Sequence, residues 1–162
     1  MLPLNDPSWD GLTDAMGGQF DCRMLLDELL NGEVTEGVWD LCWNYLIYQD
    51  TVGEVSYPAV PYLIEYIRRS VTIDWNALAL ISAIDLARPS GPAMPVAVKH
   101  DYFQAIHALP QILANHPQTQ WDDLTTRFAV SCIALGRGQR ELGRIYAEMS
   151  LEEGIAWTMK RD

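Results

Sequence analysis

The residues best suited to chemistry are two histidines, His100 and His107, which lie seven positions apart with Gln104 between them. On a helix this spacing places the three side chains on one face, and the carboxylate of Asp101 is adjacent to His100. A metal site needs three or four converging ligands, whereas this stretch offers only two imidazoles. The pattern predicts a polar helical face, with an enzyme site near His100 and His107 kept as an alternative.

Asp85 is a charged residue near the end of a strongly apolar stretch. Buried carboxylates are nearly always paired, and Arg88 stands three positions further on. We therefore interpret Asp85 as the partner of Arg88 or of a backbone group. A catalytic role between helices, beside the two histidines, is the alternative. His116 precedes Pro117 and is predicted to lie in a loop.

Cys22, Cys42 and Cys132 are far apart in sequence, and each falls among apolar residues. This distribution predicts buried, reduced thiols. The chain has no nucleophile elbow, no His-Glu-x-x-His pattern and no phosphate-binding glycine loop. Adjacent acids such as Asp122 and Asp123 point apart on a helix. We therefore predict no catalytic residue, no metal and no cofactor.

The stretch that organises the chain runs from Val34 to Arg69 and is predicted to form two helices joined by a polar turn, residues 49–53. Apolar residues in its first half recur at helical spacing. In its second half Ser56 is predicted as the N-cap, and Pro61 is expected to bend the helix near its start. Because the first helix is apolar on more than one side, it must be covered by other elements.

The remaining elements are also predicted to be helical, and no segment alternates apolar and polar residues as a half-buried strand does. Asp74 is a predicted N-cap, and Pro110 is expected to kink the helix that contains it. The predicted helices outside the organising stretch are 8–16, 20–30, 75–87, 97–115, a helix from Trp121 that ends at Gly136, 139–149 and 151–159.

The predicted fold class is therefore all-α, with seven or eight helices in one domain covering residues 1–162. We divide it into acidic N-terminal helices (1–32), helix pairs (33–149) and a C-terminal helix (150–162). The start of the chain has no basic region and no apolar segment of signal-peptide type, and no apolar run reaches membrane-spanning length. These features favour a cytoplasmic protein.

A weak internal repeat supports stacked helix pairs. Val60-Pro61-Tyr62-Leu63 is similar to Leu109-Pro110-Gln111-Ile112-Leu113, and each is followed, after a linker, by a predicted helix that opens with a tryptophan, Trp75 or Trp121. One such pair cannot bury its own apolar surface, so stacked pairs are the expected arrangement.

The run from Trp39 through Tyr48-Gln49-Asp50-Thr51-Val52 to Ala59-Val60-Pro61-Tyr62-Leu63 resembles bacterial HEAT-like proteins. Those often carry a tryptophan or leucine helix, then His-Gln-Gly-Thr-Val-Tyr, then Ala-x-Pro-x-Leu. Here Tyr48, Asp50 and Gly53 stand for the histidine, glycine and tyrosine of that pattern. The likeness is specific over this run and diffuse from there to about Gly138. It implies a HEAT-like α-α superhelix, a right-handed stack of antiparallel helix pairs, and a protein-binding role without a named ligand.

The formal net charge of −11 is concentrated at one end of the sequence. Through Glu54 there are eleven acidic residues and one basic residue, Arg23, whereas the remainder has eleven acidic against ten basic. Such an excess repels the phosphates of nucleic acids and anionic membranes. It serves either as a solvated, solubilising surface or as a face for a basic protein.

The sequence therefore predicts a protein-binding module whose acidic N-terminal face meets a basic partner, for example an immunity protein that neutralises a basic toxin. The predicted contact residues are Glu33, Glu36, Asp40, Tyr48, Gln49, Asp50 and Glu54. An alternative is a structural subunit of a homo-oligomer that buries its broad apolar hairpin between copies. The second alternative is the enzyme near His100 and His107.

Overall fold

The computed structural model describes residues 1–118, 120–149 and 153. Its described residues form seven α-helices, two short 3-10 helices and one two-stranded antiparallel hairpin. The helices are α1 (Arg23–Asn31), α2 (Glu36–Tyr45), α3 (Ser56–Arg69), α4 (Trp75–Ala87), α5 (Val96–Ala114), α6 (Asp123–Gly136) and α7 (Arg140–Glu148). The strands are β1 (Ile47–Tyr48) and β2 (Thr51–Val52), and the 3-10 helices are Pro7–Trp9 and Arg88–Ser90.

The predicted all-α class is confirmed. The predicted C-terminal helix, 150–162, lies outside the described residues except for Glu153.

Helix α4 lies in the middle of the core. It has the predicted bounds, and the Asp74 side chain accepts a hydrogen bond from the Asn76 amide at 2.9 Å, as expected of an N-cap. Its central residues are apolar nearly all round and buried. Such a helix is stable only when neighbours surround it, and α4 contacts α2, α3, α6 and α7.

The later helices contact one another in a regular order. Helix α3 packs against α4 and α5, and α6 packs against α4 and α5. The predicted internal prolines, Pro61 and Pro110, lie within α3 and α5. Pro110 approaches α6 closely, because a Cβ added to Gly136 would fall 2.6 Å from its Cδ. A glycine at this point lets the two helices meet.

The helix predicted over 8–16 is wrong. Only the 3-10 turn at Pro7–Trp9 forms there, and Gly11 and Gly17 then take positive φ values of 89° and 81°. The carboxylate of Asp14 accepts hydrogen bonds from the amides of Met16 and Gly18, at 2.8 and 2.9 Å. These local bonds compete with helical ones and stabilise a compact loop instead.

The expectation of no strand is also wrong, because residues 47–52 form a β-hairpin where the sequence predicted only a turn. Ile47 pairs with Val52, and Tyr48 pairs with Thr51. The N-cap prediction for Ser56 is wrong as well, because α3 already includes Ser56 and the preceding residue is Val55.

Candidate functional site

The outer side of α2 and the hairpin after it form the candidate site, which we call the acidic surface. Its members are exposed residues of the α1–α2 connection, of α2 and of the hairpin turn: Glu33, Glu36, Asp40, Tyr48, Gln49 and Asp50. Glu36, Asp40 and Asn44 are spaced by four, so they follow one line along the helix. Leu41 lies beside them with 38% of its surface exposed.

The opposite side of α2 fixes this helix to the core. Val38, Trp39 and Cys42 are buried. The indole of Trp39 donates a hydrogen bond to the Asp74 carboxylate at 2.7 Å, and the indole of Trp43 donates to the Asn76 side-chain oxygen at 2.9 Å. Two indole anchors at the start of α4 hold α2 in one orientation, with its acidic side outward.

The hairpin is held at its base by hydrogen bonds. The Ser56 hydroxyl donates to the Leu46 carbonyl at 2.5 Å and accepts from the Gly53 amide at 3.0 Å. The Ala15 amide donates to the Tyr45 carbonyl at 2.9 Å. The base is therefore fixed on both sides, while Tyr48, at 38% exposure, stands at the tip.

The turn of the hairpin has an unusual backbone. Gln49 and Asp50 have φ values of 46° and 62°, and they are the non-glycine residues at positive φ in the described chain. Two successive positive φ values are those of a type I′ turn, in which asparagine and glycine are preferred. A residue such as glutamine is strained by about 1–2 kcal/mol in this conformation. The turn therefore presents two polar side chains where glycine would fit more easily.

The carboxylates of the acidic surface have no counter-charge among the residues that the structure describes. Glu33, Glu36, Asp40 and Asp50 form no ion pair with any residue in the described part of the chain. Uncompensated exposed carboxylates create a negative potential that reaches about one Debye length, roughly 8 Å in physiological salt.

Several other acids of the N-terminal third are paired or buried, although Glu28 is exposed and has no side-chain partner among the described residues. Asp10 and Asp21 both pair with Arg23, at 3.0 and 2.8 Å, and the hydrogen bond from Arg23 lowers the pKa of Asp21. Asp14 is buried. Glu54, which the sequence placed among the contact residues, accepts hydrogen bonds from the Thr13 amide and hydroxyl at 3.2 and 3.3 Å. Glu54 is thus half-buried and bonded to the N-terminal loop, whereas the other six predicted contact residues are exposed.

Asp85 is buried, at 5% exposure, and its carboxylate is hydrogen-bonded to three side chains. Its carboxylate accepts from the Tyr102 hydroxyl at 2.8 Å, from Nε of Arg88 at 3.0 Å and from Nη1 of Arg140 at 3.3 Å. The predicted pairing with Arg88 is confirmed. Burial, followed by the charge of Asp85, raises the pKa of Tyr102 well above its usual value. The contact with Arg140, 55 positions away, was not predictable, because no local pattern reports it.

His100 and His107 occupy a different environment from Asp85. Both are exposed on α5, where they line an open groove with Lys99, Phe103 and Gln104. The structure thus does not join the buried carboxylate and the two imidazoles into one site. Among the residues that the structure describes, no group of three histidine, cysteine or acidic side chains is arranged to hold a metal.

The three cysteines are buried and free, as predicted. Burial raises the pKa of each thiol to about 12. The sulfur of Cys132 lies 3.3 Å from the Ser82 hydroxyl and donates to the Leu78 carbonyl at 3.4 Å, so this thiol links α6 to α4. A thiol that stays protonated is a poor nucleophile, and these three side chains serve as core residues.

His116 follows α5 in a loop, as predicted, but it is buried. Its Nδ1 accepts a hydrogen bond from the Gln118 amide at 3.2 Å, so Nε2 carries the proton that faces the Ser70 carbonyl at 3.0 Å. The imidazole therefore connects the α3–α4 and α5–α6 loops. Sequence reasoning missed this role, because the two loops are distant along the chain.

Comparison with protein-family models, with curated proteins and with solved structures found no match to this chain. Within residues 1–118 and 120–149, no helix is both long enough and apolar enough to span a bilayer.

Proposed function

We propose that this protein is a protein-binding module whose acidic surface docks on a basic face of a partner protein. The observation that carries the proposal is the set of four exposed carboxylates, Glu33, Glu36, Asp40 and Asp50, that have no ion-pair partner among the described residues. Electrostatic complementarity of this kind speeds encounter and excludes acidic partners.

The hairpin tip supports the proposal with groups of a different character. Tyr48 offers an amphipathic ring, and Gln49 offers both donors and acceptors. Aromatic residues at the centre of an interface often contribute most of the binding energy. Because the hairpin base is fixed by Ser56 and Ala15, the tip loses little conformational entropy on binding.

We further propose that the helix pairs are arranged as a HEAT-like right-handed stack. The contacts favour this arrangement, because α3 packs on α5 and α4 packs on α6, as equivalent helices of successive pairs do. Pro61 and Pro110 occupy the first helix of each pair. An experimental structure in which one rotation superposes α3–α4 on α5–α6 would establish the repeat, whereas an unrelated crossing of the two pairs would exclude it.

One form of this function is an immunity protein that blocks a basic toxin, such as a nuclease. A nuclease must attract phosphate, so its active face is basic, and an acidic protein surface covers such a face by charge complementarity. The product of the neighbouring gene is the first candidate partner, and purified protein should bind it directly.

The experiment is affinity capture with immobilised protein, followed by association kinetics with the captured basic partner. In the variant Glu36→Lys/Asp40→Lys we expect the association rate to fall by about tenfold or more at low salt, because the two lysines cancel the charges of Glu33 and Asp50 and the surface no longer attracts a basic partner. Rising salt should slow association of the unmodified protein and have much less effect on the variant.

The matched control is Glu141→Lys/Glu148→Lys, which makes the same change in net charge on exposed residues of α7. Unaltered binding in both variants would remove the acidic surface from the proposal. Equal loss in both would show that total charge, and not this surface, governs the interaction. Circular dichroism should show the same helix content in each variant.

The homo-oligomer alternative receives less support from the hairpin region. The apolar residues of α2 that suggested it, including Val38, Trp39 and Cys42, are buried inside a single copy. Sedimentation across a wide concentration range would test it, and a constant monomer mass would count against it. The enzyme alternative likewise receives less support, because it needs Asp85 to lie beside His100 and His107. Asp85 is buried, whereas the two histidines are exposed.

A further inference from the structure

We draw no further inference here: the strongest candidate, the outward face of α7 on which Leu142, Ile145 and Tyr146 lie side by side and about half exposed, is an apolar surface for which nothing in the described part of the structure shows what covers it.

Discussion

At the scale of single residues, Gly53 allows the N-terminal loop to lie close to the hairpin. Gly53 follows β2 and lies against the backbone of residues 13 and 14, so closely that an added Cβ would fall 2.6 Å from the Asp14 carbonyl oxygen. Asp14 is itself fixed by the hydrogen bonds that its carboxylate accepts from backbone amides. The loop therefore cannot move away from Gly53 without loss of hydrogen bonds. The position therefore requires glycine for space, and not for its φ angle.

We expect Gly53→Ala to destabilise the protein by about 1–3 kcal/mol, the usual range for overpacking a close contact. Urea unfolding followed by circular dichroism measures this directly. Gly37→Ala is the matched control, because Gly37 is exposed within α2 and its added Cβ has Thr35 Oγ1 at 3.7 Å. That change should instead stabilise by about 0.5–1 kcal/mol. Equal effects of the two substitutions would contradict the packing argument.

The buried thiols give a second expectation, which concerns pH. The pKa values of Cys22, Cys42 and Cys132 rise from 9.0 to about 12 on folding, because burial disfavours the thiolate. A raised folded-state pKa stabilises the fold below the unfolded value and ceases to do so as the pH rises through the folded value. The free energy of unfolding should therefore fall between about pH 9 and pH 12.

Ellman's reagent provides the direct test of thiol burial. At pH 8 the thiols of the native protein should react only as fast as local or global unfolding exposes them. The unfolded chain should release three equivalents of thionitrobenzoate at once, one for each cysteine. Fast reaction of any thiol in the native state would show that its side chain is accessible. The variant Cys42→Ala, which removes one of the three groups, should lose part of the stability change at high pH.

At the scale of elements, the β-hairpin combines a rigid base with a strained turn. Its two residue pairs, Ile47–Val52 and Tyr48–Thr51, are too few to be stable alone. It persists because Ser56 and the loop containing Ala15 bond to its base. The turn can therefore keep Gln49 and Asp50 in a conformation that neither residue favours.

Replacing the turn by Asn-Gly, through Gln49→Asn and Asp50→Gly, should stabilise the protein by about 1 kcal/mol, because this pair is preferred in type I′ turns. The same double variant should bind the proposed basic partner more weakly, since it removes the Asp50 charge and shortens the Gln49 side chain. Thermal unfolding and titration calorimetry measure the two effects. Asp50→Asn separates the contribution of charge, and unchanged affinity in both variants would exclude Gln49 and Asp50 from the interface.

Local chemistry determined which elements could be predicted. The prediction for helix α4 is correct at both ends, because Asp74 caps the helix and an apolar sequence follows. The pairing of Asp85 with Arg88 was predictable because three positions separate them. The hairpin escaped prediction, since its strands have two residues each and its turn lacks glycine. Within the candidate site, outward placement of Glu36 and Asp40 followed from helical spacing, whereas the bond from Thr13 to Glu54 crosses 41 positions without a local signal.

At the scale of the whole molecule, Arg140 joins α7 to the C-terminal end of the central helix α4. Its guanidinium donates to the Asp85 carboxylate at 3.3 Å and to the Leu86 carbonyl at 2.6 Å, and it also bonds to the Asp85 carbonyl. The last carbonyls of a helix have no partner within it, so a side chain from α7 satisfies the end of α4. A separate hydrogen bond joins α7 to α6, because the Gly143 carbonyl accepts from the Ser131 hydroxyl at 2.8 Å.

We expect Arg140→Ala to destabilise the protein by about 3 kcal/mol, since it breaks a partly buried ion pair with the buried Asp85 carboxylate and leaves backbone carbonyls unsatisfied. Amide hydrogen exchange should show loss of protection in α7 and at the end of α4. Arg144→Ala is the control, because Arg144 forms exposed pairs with Glu141 and Glu148. That change should cost less than about 1 kcal/mol. Protection lost equally throughout the chain would indicate one cooperative unit with no special role for α7.

The position of Arg140 also limits how the protein can be shortened for use as a reagent. The six residues of the acidic surface all lie between residues 33 and 50, which invites a minimal fragment that ends soon after α3. Such a fragment would lack α4, whose Asp74 and Asn76 anchor the indoles of α2. A longer fragment that kept α4 but stopped before α7 would leave Asp85 without one of its two arginines. A shortened version that is to keep the acidic surface therefore has to retain the chain through α7, although the proposed binding residues occupy a small part of it.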